Sequence, residues 1–135
     1  MTTEFELSIT GSSKNLLDAI AILAEHNINL QTVATARVGE RYVIKFLTGS
    51  EEEVRRMLMK ADLNFKERQV VVVHVFNKPG QWLKAAKAIV DAGVDIQASY
   101  LLGTKGDRLS FVFAVSDYEK AKAACSKYSE IFSID

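Results

Sequence analysis

The stretch Asn77-Lys78-Pro79-Gly80-Gln81-Trp82 holds the residue types best placed to do chemistry. It follows a run of β-branched residues, Val70 to Val73, and opens a helical pattern, so a strand gives way here to a helix N-terminus. Such a terminus carries N–H groups with no intrahelical partner and the positive end of the helix dipole, a combination that binds a small carboxylate. Asn77 offers its amide to the helix or to a ligand. Pro79 fits a first helical turn, where no N–H is needed, and Gly80 lets a ligand approach the backbone. A plain strand-to-helix turn is the competing reading of the same residues.

Reactive side chains are sparse elsewhere. His26 falls near a helix end, where an imidazolium suits the dipole, and His74 alternates with valines as a partly exposed strand residue. Two histidines so far apart, without nearby cysteines or paired carboxylates, make no metal site. Cys125, the single cysteine, lies on the inner stripe of the last helix and reads as a core residue rather than a nucleophile. No serine, histidine and acid grouping is present, nor a GxxxxGK[ST] or GxGxxG loop, and Glu51 to Glu53 form a capping cluster. The sequence therefore predicts no catalysis and no cofactor.

The bulk composition narrows the partners. The 17 basic and 17 acidic residues cancel, leaving no basic excess for a nucleic-acid backbone. No apolar run approaches the ~18 residues of a membrane span, and the N-terminus lacks a signal-peptide pattern. With one cysteine and no disulfide, a cytoplasmic protein is expected.

The elements that must position the Asn77 stretch follow from periodicity. Phe5, Leu7 and Ile9 alternate as a strand; Leu17, Ile20, Leu23 and Ala24 form a helical stripe after Gly11-Ser12-Ser13. Two strands joined near Gly39, a helix capped by Ser50 and Glu53, and a short strand at Phe65 to Gln69 complete a β-α-β-β-α-β order. Sliding the chain by 66 residues places Asn27-Ile28-Asn29-Leu30-Gln31 over Gly93-Val94-Asp95-Ile96-Gln97, and a slide of 67 matches Tyr42, Ile44 and Phe46 to Leu109, Phe111 and Phe113. The predicted fold is α+β, with two tandem ferredoxin-like βαββαβ units, residues 1–67 and 68–135. Their exposed strand edges should pair with one another, or a sheet face should be buried against a second chain, giving a homodimer.

Asn77-Lys78-Pro79-Gly80 after a strand, with Ala92-Gly93-Val94-Asp95-Ile96-Gln97 after the helix, resembles the ACT domain. Gly93 to Leu101 is similar to the regulatory ACT domain of phosphoglycerate dehydrogenase, and the two-copy arrangement resembles small stand-alone tandem ACT proteins. The resemblance implies a regulatory protein that binds an amino acid at a domain–domain junction and acts allosterically on an enzyme. Carried over, it assigns Asn77, Lys78, Pro79, Gly80, Gln81 and Trp82 to the ligand loop, with Asn29 and Asp95 at the facing strand starts. Gly11 and Ser12 hold the counterpart of the loop in the first copy, where the proline turn is missing. Where that dehydrogenase domain has a histidine, this chain has Val75, which points to a more apolar pocket floor. The alternatives are an assembly module that binds no metabolite and, below it, an RNA-binding module, for which Lys105-Gly106 before Phe111-Val112-Phe113 is faintly similar but wrongly spaced, in a chain of zero net charge.

Overall fold

The computed structural model describes residues 2–128 and 132–134. Two compact units emerge, Thr3–Arg68 and Gln69–Asp135 with Met1–Thr2.

In the first unit, β1 (Thr2–Thr10), β2 (Leu30–Val38) and β3 (Arg41–Thr48) are antiparallel, with β3 paired on both sides. Phe5 lies opposite Phe46 and Leu7 opposite Ile44, so the alternating apolar residues of β1 and β3 share one face. The Phe5 and Phe46 rings stack at 5.5 Å. Against that face pack α1 (Ser13–Glu25) and α2 (Glu51–Lys60), through Ala19 and Leu23 of the first and Val54, Met57 and Leu58 of the second. Leu17 departs from the expected stripe and is 66 % exposed. With Leu16, Ala19, Ile20, Ile22 and Leu23 all apolar, two neighbouring stripes fit a period of 3.6, and packing selects the one through Leu16 and Leu23. Asn27 closes α1 at φ +57°. Ser50 stands at the N-cap of α2 but its side chain caps nothing, so the expected capping box does not form.

In the second unit, β4 (Phe65–Phe76) and β5 (Ile96–Lys105) flank β6 (Arg108–Val115), and β7 (Phe132–Ile134) pairs with β4. The helices α3 (Gln81–Asp91) and α4 (Tyr118–Ser126) cover Val71, Val73, Val75 and Phe113 with Ala85, Ile89, Ala121 and Cys125. Val75 is a core residue, 1 % exposed. His74 is buried rather than partly exposed, its Nδ1 2.6 Å from Ser110 Oγ.

The expectation of two tandem ferredoxin-like units does not hold. In place of a short strand closing one unit and a separate strand opening the next, a single strand of 12 residues, β4, is found, and the described residues hold four helices. The physical reason lies in residues 65–76. FKERQVVVVHVF contains no glycine, proline or other turn residue, so nothing ends a first-copy strand and starts a second. One continuous strand results, and it runs through the boundary expected between residues 67 and 68.

A charged cluster braces the first unit. The Glu4 side chain is fully buried, 3.3 Å from Arg68 Nε and 3.8 Å from Lys45 Nζ. Glu6 meets both of the same cations, Lys45 at 2.5 Å and Arg68 at 3.3 Å. Among the described residues no helix is long and apolar enough to cross a membrane.

Candidate functional site

The Asn77 loop sits where β4 ends and α3 begins. Asn77 N–H donates to the carbonyl of Asp107 at 3.2 Å, which ties the loop to the turn between β5 and β6. Lys78 N–H turns back onto the Phe76 carbonyl at 2.8 Å. Gly80 is the N-cap of α3 at φ +83°, a left-handed conformation that glycine adopts without steric cost. Its carbonyl accepts the first helical bond, from Lys84 N–H at 3.1 Å. Pro79 therefore precedes the cap instead of sitting in the first turn.

No side chain caps α3, so the amide of Asn77 is not used that way. The first-turn N–H groups have a glycine beside them, and a Cβ built on Gly80 would meet nothing within 4 Å. Positive charge gathers nearby. Arg108 lies over the Phe76 ring at 4.1 Å and donates to the His74 carbonyl at 3.3 Å, while Lys78 Nζ is 5.8 Å from the same ring. The sequence reading missed Arg108 and Phe76. Arg108 shows in the sequence only as the basic residue that follows Gly106-Asp107.

Trp82 is held at two points. Its Nε1–H donates to Ser99 Oγ at 3.0 Å and its ring stacks on Phe113 at 5.8 Å, which fixes the start of α3 to β5 and β6. It is still 41 % exposed. Gln81, the first residue of α3, donates its N–H weakly to Lys78 at 3.4 Å. Asp95 anchors the start of β5 through its backbone, exchanging bonds of 3.0 Å with the hydroxyl and N–H of Ser116. Its exposed carboxylate makes no ion pair among the described residues.

Gly11, Ser12 and Asn29 belong to the unit Thr3–Arg68. There Gly11 N–H donates to the Glu40 carbonyl at 3.3 Å, the same loop-to-hairpin bond that Asn77 makes. Ser12 is the N-cap of α1, and both its N–H and its hydroxyl donate to Asn15 Oδ1, at 2.9 and 3.0 Å. Arg37 lies 5.0 Å over the Tyr42 ring, and Ser13 Oγ is 2.8 Å from Tyr42 Oη. This loop is occupied by its own side chains, in contrast to the loop at Gly80. Asn29 accepts through its carbonyl from Thr48 Oγ1 at 3.1 Å. Other groups weighed in the sequence are quiet: burial pushes the Cys125 thiol up to about 11, and no cluster of three histidine, cysteine or acidic residues occurs among the described residues.

No protein-family model matches the sequence, and no curated protein does. Solved structures do match. The Bacteroides thetaiotaomicron protein BT0572 is 18 % identical with a TM-score of 0.85, over 99 % of this chain and 93 % of its own. The ligand-free regulatory subunit of aspartate kinase from Thermus thermophilus is 17 % identical with a TM-score of 0.69, covering 96 % and 91 %. A putative C-terminal regulatory domain of aspartate kinase from Porphyromonas gingivalis is 16 % identical with a TM-score of 0.59, covering 93 % and 91 %. At these identities the likeness is one of fold: this chain has an ACT-like fold, shared with regulatory subunits of aspartate kinase.

Proposed function

We propose that this is a non-catalytic regulatory protein that binds an amino acid or a similar small carboxylate at the Asn77–Trp82 loop. The observation that carries the reading is the open start of α3: no side chain caps it, Gly80 leaves its approach clear, and Lys78 and Arg108 stand close by. A ligand carboxylate takes the first-turn N–H groups, Asn77 offers its amide to either end of the ligand, and the exposed part of Trp82 packs against the ligand side chain. Asp95, at the start of β5, is the acid this unit offers to a ligand ammonium group.

The fold likeness to regulatory subunits of aspartate kinase supports regulation over catalysis. An enzyme that answers to the ligand, or a second copy of this chain, is the partner this role calls for. A carboxylate at a helix N-terminus gains roughly 0.3–1 kcal/mol when exposed and up to about 2 when partly buried. A few charge-assisted bonds of about 1.5–3 kcal/mol each bring the affinity to roughly micromolar to millimolar, the range of a metabolite sensor.

Melting the protein with each of the twenty amino acids in turn tests this. At a hundredfold excess over Kd, a ligand adds about 2.7 kcal/mol and raises Tm by several degrees. Asn77→Ala should remove that shift while leaving the unliganded Tm nearly unchanged. A flat response to all twenty would instead favour an assembly module that binds no metabolite.

A further inference from the structure

A groove in the unit Thr3–Arg68 lies at the far end of α1 from Ser12. It is lined by His26, just past α1, and by Glu53, Arg56, Met57 and Lys60 along α2, and it holds about 240 Å³. Sites for drug-sized ligands run to roughly 300–1,000 Å³, so this one suits an ion or a small metabolite. Met57 is buried beneath it, and the His26 ring is fixed by its Nδ1–H, which donates to the Ile22 carbonyl at 2.8 Å.

The charges are what single the groove out. Arg56 and Lys60 stand one turn apart on the same helix face, a like-charge spacing that weakens a helix. Neither forms an ion pair among the described residues, although Glu52 precedes Arg56 by four positions. Their neighbour Arg55 behaves differently, with two bonds of 2.6 and 2.8 Å to Glu67. Two uncommitted cations and an imidazole therefore share one small concavity with a single carboxylate, Glu53.

We propose that this groove binds a phosphate group, free or on a small hydroxylated ester. The Arg56 fork matches phosphate oxygens in pairs and the Lys60 ammonium takes the remaining charge. Glu53 repels a ligand that only accepts hydrogen bonds, and it accepts from the P–OH of hydrogen phosphate or from an ester's hydroxyl. The site is independent of the Asn77 loop and stands or falls separately from it.

Titration of the isotope-labelled full chain, followed by amide chemical shifts, tests the assignment with two probes: inorganic phosphate and glycerol phosphate. The expected result is saturable shifts centred on residue 26 and residues 53–60. Binding should weaken by roughly tenfold in Arg56→Gln and in Lys60→Gln, and should be unchanged in Arg41→Gln, an exposed cation elsewhere. Glutamine keeps the helix propensity of these positions, so the variants should retain the parent circular dichroism. Tighter binding of glycerol phosphate marks an ester as the ligand, and equal or weaker binding marks the free ion. Absence of saturable shifts at these residues with millimolar probe, or binding undiminished in both variants, overturns the proposal.

Discussion

Gly80 and Gly11 are glycines for different reasons, and substitution separates them. Gly80 sits at φ +83° with open space around its missing side chain, so alanine there meets only the left-handed backbone penalty. That penalty is about 1–2 kcal/mol, and Gly80→Ala should lower Tm by roughly 3–8 °C on thermal denaturation. At Gly11 a Cβ would fall 2.5 Å from Asn15 Oδ1, the atom that accepts from Ser12, so the same change also displaces a cap. Cys125 offers a third check at this scale. Burial raises its thiol to about 11, so at neutral pH it carries almost no thiolate. Iodoacetamide should leave the native protein unmodified over times that label it completely in denaturant.

At the scale of elements, the charges along β1 make stability depend on acid. Burial pushes the Glu6 carboxyl up, but the Lys45 hydrogen bond and the charges of Lys45, Arg68 and Lys66 outweigh it and hold it below its ordinary range. A carboxyl depressed in the fold contributes stability above its unfolded pKa, and that stability is lost as pH falls through the folded value. The loss should therefore set in near pH 4.3, the ordinary glutamate value, and deepen below it. Urea midpoints measured between neutral and strongly acidic pH should fall in that window for the parent chain and fall less for Glu6→Gln.

The elements also show what a sequence carries. Helix and strand order was readable because periods of 3.6 and 2 are written in residues such as Val54, Met57 and Leu58 or Phe5, Leu7 and Ile9. Two things were not readable. The face of α1 was ambiguous because Leu16 and Leu17 both continue an apolar stripe, and only packing chooses between them. The boundary expected between residues 67 and 68 has no turn residue behind it, and strand propensity through Phe65–Phe76 outweighs the repeat symmetry. At the loop, Gly80 announced itself by type, whereas Arg108 came into place only through the pairing of β4 with β6.

For the molecule as a whole, the proposed regulatory role needs ligand binding to bias the arrangement of a protein whose two compact units are joined through β4. A ligand that stabilises one arrangement stabilises the whole fold by the same free energy, so a melting temperature reports on it without an assay for the regulated enzyme.

The unbroken β4 gives the chain a parity. Phe65 packs into one core, and Val71, Val73 and Val75 pack into the other, all odd-numbered positions along one strand. Side chains alternate faces at every step, so the facing set at Phe65 determines the facing set at Val75. A single-residue deletion between Lys66 and Gln69 turns one of the two sets inside out, placing Val72 and His74 where Val71 and Val73 belong, and should abolish cooperative melting. Removing two adjacent residues from the same span shortens the strand further yet restores the facing pattern, and should leave a folded, destabilised protein. Length changes in this strand are counted modulo two, and the larger deletion is the milder one.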